Sequence, residues 1–201
     1  MKQWLTTLFC SLALLWGGLQ AAAAQDDPAA LVRDTTDRVL AELKSRENVD
    51  AATAFELVRE IVLPHFDFEL MSRFVLARNW QQATPEQQQR FVEEFRTLLI
   101  RTYGVSLSEY SGQEIRYLPV HDTSGKRVTV RTEILQPGGP SIPLHYQLYR
   151  GPEGWKVFDV VIEGVSLVQN YRGEFAAEIS RNGIDHLIER LAQRNRSGSA
   201  E

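Results

Sequence analysis

Ile142-Pro143-Leu144-His145-Tyr146-Gln147-Leu148-Tyr149-Arg150-Gly151-Pro152-Glu153-Gly154-Trp155-Lys156-Val157-Phe158-Asp159-Val160-Val161-Ile162 carries two apolar runs joined by a turn. Ile142, Leu144, Tyr146 and Leu148 recur at period two, Gly151 to Gly154 reverses the chain, and Trp155 to Ile162 returns. Residues 142–162 therefore read as an antiparallel hairpin. Upstream, Val128, Val130, Thr132 and Ile134 alternate with Arg127, Thr129, Arg131 and Glu133, which is a strand with one wet face. Residues 112–120, with Ile115, Tyr117 and Val120, add a further strand.

Helical periodicity flanks this meander on both sides. Asp27-Pro28 opens an amphipathic helix with Leu31, Val32, Val39, Leu40 and Leu43 on one stripe, and Asp50 caps a second that Pro64 stops. Phe66 to Trp80 continues as a short helical stretch in which Asp67 reads as an N-cap. Thr84-Pro85-Glu86-Gln87 supplies a cap, a first-turn proline and a capping-box glutamine, followed by Phe91, Phe95, Leu98, Leu99 and Tyr103 at helical spacing. After Gly164 the period of 3.6 resumes through Leu167, Val168, Tyr171 and Phe175, breaks near Asn182-Gly183 and restarts through Leu187 and Leu191. Helices, a meander of about four to five strands, then helices again predict an α+β fold, a twisted antiparallel sheet wrapped by N- and C-terminal helices.

The 201 residues are 43% apolar and 24% charged, which excludes collagen-like, disordered and disulfide-framework chains. Lys2, the apolar run from Trp4 to Leu19 and the small residues Ala22-Ala23-Ala24 read as a cleavable signal peptide over residues 1–24. The run is too short and too interrupted for a membrane span. The one cysteine, Cys10, falls inside it. Residues 25–194 then form a single domain, and residues 195–201 a flexible tail. The net charge of −4 and the scatter of basic residues among acids exclude a nucleic-acid binder.

The chemistry-bearing residues are sparse. His65, His121, His145 and His186 lie in separate elements with no HxxxH or paired-cysteine spacing, so no metal site is expected. No GxSxG or GxxxxGK[ST] motif occurs. Asp159, between Phe158 and Val160 and within reach of Tyr146 on the neighbouring strand, is the one candidate acid or base for an enzyme acting on an apolar substrate. Hydrogen bonding to backbone is the plainer role for it. The aromatic and aliphatic stripes fit either a filled core or a hollow one; periodicity alone favours the filled core, as in a simple interaction module.

Two segments carry a family likeness. Trp155 to Ile162 followed by Glu163-Gly164-Val165-Ser166-Leu167-Val168-Gln169-Asn170-Tyr171-Arg172-Gly173-Glu174-Phe175 closely resembles the hallmark segment of the MlaC family of periplasmic phospholipid-binding, or toluene-tolerance, proteins. Phe66-Asp67-Phe68-Glu69-Leu70-Met71 through Trp80, then Ala83 to Gln87, Phe91, Phe95 and Tyr103, is similar to that family's pattern upstream of its sheet. Ala77 departs from it, since the family usually has Gly there, which touches a local close-packing contact.

The resemblance implies a deep apolar cavity between sheet and helices that accepts the acyl chains of a glycerophospholipid. It implies no catalytic residue and no cofactor, the phospholipid being transported ligand. It also implies a periplasmic carrier, expected as a monomer, that shuttles lipid between an outer-membrane MlaA–porin complex and MlaD of an inner-membrane ATP-binding-cassette complex, maintaining outer-membrane lipid asymmetry. On that basis Phe95, Leu99, Tyr103, Val130, Leu144, Tyr146, Leu148, Val161, Tyr171 and Phe175 are expected to line or border the cavity, and Arg172 to offer its guanidinium to the head group. A charge at Leu148 or Val161 is then expected to expel lipid without unfolding the chain.

Overall fold

The computed structural model describes residues 27–46, 49–120, 123, 125–136 and 138–197. The signal segment read over 1–24, with Cys10, lies outside the described residues, as does His121.

Each helix begins where the sequence supplies a cap. Asp27 accepts from the Ala29 amide at 2.8 Å and opens α1 (Pro28–Lys44), and Asp50 accepts from Thr53 at 2.8 Å and opens α2 (Ala51–Leu57). α2 widens into a π turn over Val58–Val62 and tightens into a 3-10 turn over Leu63–His65, where Pro64 ends the helical run. Asp67 accepts from Leu70 at 2.8 Å and caps α3 (Phe68–Leu76). Thr84 and Gln87 exchange both capping-box bonds, 3.2 and 2.9 Å, at the head of α5 (Pro85–Ser108).

The predicted stretch from Phe66 to Trp80 is two helices, because Ala77 adopts φ 49° and ψ −118° between α3 and α4 (Arg78–Gln82). The departure from glycine here bears on backbone strain. A side chain in the left-handed half of φ/ψ space costs about 1–2 kcal/mol, part of which a more flexible glycine would give back through the unfolded chain. Ala77→Gly is expected to stabilise the protein by about 1 kcal/mol and to raise its melting temperature by roughly 2–4 °C, read by calorimetry. A lowered melting temperature would show that the joint carries no strain.

The sheet is a five-stranded antiparallel meander in the order β1 (Glu114–Tyr117), β2 (Arg127–Leu135), β3 (Ile142–Gly151), β4 (Gly154–Ile162) and β5 (Val165–Ser166). The outer edge of β4 is closed by β5 and by Phe66, which bridges Val157, while the Asp67 amide donates to the Val157 carbonyl at 2.9 Å. Between Gln147 and Leu148 the β3–β4 register shifts: Leu148 pairs with Val157, yet Gln147 pairs with Asp159, leaving Phe158 as a bulge.

α6 (Leu167–Asn182) and α7 (Ile184–Ser197) pack on α3 and α5 around Phe91, Phe95, Phe175, Leu187, Ile188 and Leu191, all essentially inaccessible to solvent. A second cluster joins Val32 of α1 to Val128, Val130, Leu148 and Val157 of the sheet, and a third joins Val39 and Leu43 to Leu57 and Ile61.

The last helix runs past the boundary expected at 194. Asn195 is buried, and its side-chain amide donates to the Glu94 carbonyl at 3.0 Å and to the Glu94 carboxylate at 2.6 Å.

The α6–α7 pair is also held electrostatically. The buried Glu178 carboxylate accepts from Arg190 Nε at 2.8 Å and faces His186 Nδ1 at 3.2 Å. The Arg190 guanidinium, more than His186, holds the Glu178 carboxyl below its usual value of 4.5. A carboxyl depressed on folding contributes stability above its unfolded value and loses it as pH falls through the folded one. Glu178→Gln should thus cost about 1–3 kcal/mol at pH 7. The gap to the parent should shrink as pH drops below about 4.5, as denaturant titrations at several pH values would show; a constant gap would mean the charge contributes nothing.

Candidate apolar binding face

Cross-strand pairing places one set of side chains on a single face of the sheet. Val128, Val130, Thr132 and Ile134 of β2 pair with Leu148, Tyr146, Leu144 and Ile142 of β3, and Leu148, Tyr146 and Leu144 pair in turn with Val157, Val160 and Ile162 of β4. Ile115 and Tyr117 of β1 extend the face through Ile134 and Thr132. Thr132 turns its hydroxyl onto the Leu144 carbonyl at 2.6 Å, so the face stays apolar in effect.

This face is sealed at one end and not at the other. Val128, Leu148, Val157 and Val130 are buried under Val32 of α1 and their neighbours. Ile115, Tyr117, Ile134, Ile142, Leu144, Tyr146 and Ile162 point to the same side and are only half-buried. Tyr103 reaches from α5 to touch both the helical core and this sheet cluster. Burial pushes the Tyr146 phenol up to about 12, and burial together with the neighbouring Tyr171 pushes Tyr103 up to about 12. Both phenols are neutral at physiological pH. The face offers apolar contact and uncharged hydroxyls.

The structure divides the residues expected to line a cavity. Val130, Leu144, Tyr146 and Leu148 share this face. Phe95, Leu99, Tyr171 and Phe175 are buried together in the helical core, and Tyr103 bridges the two groups. Arg172 is exposed on α6. Val161 pairs with His145 and points to the opposite side of the sheet. Counting from the Gly151–Gly154 turn without a bulge would have set Val161 opposite Leu144 and Asp159 opposite Tyr146; the extra residue at Phe158 turns both away.

Ile115, Tyr117, Ile134 and Ile162 were legible as strand residues but not as sharing a face with Tyr146 and Leu144, because only the register joins them. Leu148 is fully buried between Val128 and Val157, which reverses the expectation that it tolerates a charge.

The candidate acid Asp159 is held as a structural acceptor, as is the N-cap Asp67. Asp159 accepts from the Ser166 hydroxyl at 2.6 Å and the Val168 amide at 3.1 Å, pinning the start of α6 to β4. Asp67 accepts from the Tyr149 hydroxyl as well as capping α3, and that contact is the first cause of the rise of the Tyr149 phenol to about 12. Among the described residues no group of three His, Cys, Asp or Glu is placed to hold a metal ion. No helix among them is long and apolar enough to cross a membrane.

A helix-wrapped antiparallel sheet with one apolar face left half covered defines an α+β domain that presents apolar surface beside its core. The chain belongs to the MlaC family: that family's model, described as MlaC protein, matches residues 33–193. It is 32% identical over 171 residues to the toluene tolerance protein ttg2D of Pseudomonas putida, covering 83% of this chain and 79% of the relative. It is 26% identical over 201 residues to the intermembrane phospholipid transport system binding protein MlaC of Haemophilus influenzae, covering 96% and 93%. Among solved structures, the phospholipid-binding protein from Ralstonia solanacearum in complex with a phospholipid superposes with a TM-score of 0.79 at 34% identity, covering 86% of this chain and 99% of that one.

Proposed function

We propose that this protein is a periplasmic carrier of glycerophospholipid, exported by cleavage of residues 1–24, acting as a monomer and performing no chemistry. The observation that carries the reading is the gradient on the inner sheet face, from buried Val128 and Leu148 to half-buried Leu144, Ile134 and Ile142. The phospholipid seen in the Ralstonia solanacearum relative supports it. Acyl chains would lie along that face under α1 and α5, with the head group at the half-buried end. Moving each methylene into water costs about 0.8 kcal/mol, so two full chains amount to tens of kcal/mol and lipid crosses water only inside such a shelter. Membership of the MlaC family supports delivery between an outer-membrane MlaA–porin complex and MlaD of the inner-membrane complex. A passive carrier sets no direction of transport, because its partners determine where lipid is released.

The test is to purify the protein without detergent and identify bound molecules by mass spectrometry of the intact complex and its organic extract. Stoichiometric diacyl phospholipid is the expected result. An empty protein that also fails to take up labelled phospholipid from vesicles would sink the carrier reading.

A further inference from the structure

The bulge that turns Asp159 away from the inner face also builds a second concavity on the outer one. Phe158 and Asp159 both enter it, together with Arg127, Gln147, Phe74 and Ser166, around a volume of about 330 Å³. Its floor is aromatic: the Phe74 and Phe158 rings lie 5.6 Å apart, and the Arg127 guanidinium stands 5.8 and 5.5 Å from their centroids. Arg127 is exposed and, among the described residues, has no carboxylate at ion-pair distance. Asp159, the only acid among the described residues of the wall, has both oxygens occupied by Ser166 and Val168.

A guanidinium laid over aromatic faces keeps its N–H edge free, and that edge matches a carboxylate in a bidentate fork. The ring pair beneath supplies apolar contact and the Gln147 amide a neutral donor. The buried Asp159 charge works against a dianion, while one negative charge on a compact apolar body suits both halves of the site.

We propose that this outer cleft binds a compact monocarboxylate carrying an aromatic or short aliphatic body, with Arg127 as its anchor. The cleft is separated by the sheet from the inner apolar face, so the proposal does not depend on the carrier reading.

The experiment titrates benzoate into the isotopically labelled exported protein and follows backbone amides by NMR, with benzamide as the neutral isostere. The expected result is saturable movement of the Thr129, Gln147, Val168 and Gln169 amides by benzoate, weak or absent for benzamide. In Arg127→Gln the affinity should fall at least about tenfold, with the spectrum elsewhere unchanged to show that the variant is folded. Equal response to benzamide would overturn the anion preference, and movement confined to Leu144 and Tyr146 would place binding on the inner face instead. No movement at tens-of-millimolar benzoate would overturn the site. These wild-type readouts decide the matter even if the variant is unstable.

Discussion

Leu148→Asp is expected to yield no folded protein, whereas Leu144→Asp yields a folded protein stripped of lipid. The two residues lie on the same strand and the same sheet face, yet Leu148 is fully buried between Val128 and Val157, while Leu144 is half-buried beside Thr132 and Ile162. An unpaired carboxylate at Leu148 would have to stay neutral or bring in water, a cost of several kcal/mol against a total stability of about 5–15 kcal/mol. At Leu144 the charge can turn toward the open end and keep its hydration, so the fold survives. The acyl chains meanwhile lose an apolar wall, and bound lipid should fall by about tenfold or more. Circular dichroism separates the two outcomes, and extraction of lipid from Leu144→Asp completes the test. A fully loaded Leu144→Asp protein would remove this face from the lipid path.

Phe95→Ala should be the most damaging truncation in the helical core. Phe95 has its ring 5.6 Å from Phe91, 5.4 Å from Tyr171 and 6.1 Å from Phe175, and none of its surface is accessible. Emptying such a position costs about 3–5 kcal/mol through lost transfer energy and the cavity left behind. For a chain of this length that lowers the melting temperature by about 10 °C or more. Lipid carried per folded molecule, measured well below the transition, should stay at the parental level. If the variant instead melts like the parent and arrives empty, Phe95 lines the lipid space and the core lies elsewhere.

Much of the fold could be read from the chain because local chemistry and long-range packing agree. The caps at Asp27, Asp50, Asp67 and Thr84 and the period-two runs at 128–134 and 142–148 each report a local preference that the tertiary structure keeps. What escaped were features set by neighbours far along the chain. The bulge at Phe158 changes one register position, and with it the face occupied by Asp159 and Val161, without altering the apolar pattern that announces the strand. Burial within one alternating face was equally hidden: Leu144 and Leu148 have the same residue type and parity, and only the helices above them make one half-buried and the other sealed. At Ala77 helical spacing continued across a joint where the backbone turns over. The glycine expected there from the family resemblance was the available signal, since a glycine requirement often reports φ and not space.

The division of the α1 stripe between two partners also sets an order of assembly. Val39 and Leu43 close on Leu57 and Ile61, which follow within a few turns of chain, whereas Val32 closes on Val128 and Leu148, roughly a hundred residues later. In the meander each strand pairs with its sequence neighbour, so the sheet can form from short loops while the front of α1 waits for it. Val32 is thus synthesised well before its sheet partners and is among the last of the α1 stripe to be covered. A chain emerging N-terminus first carries that exposed stripe through most of its folding, the interval in which a holding chaperone would find it and in which aggregation would begin.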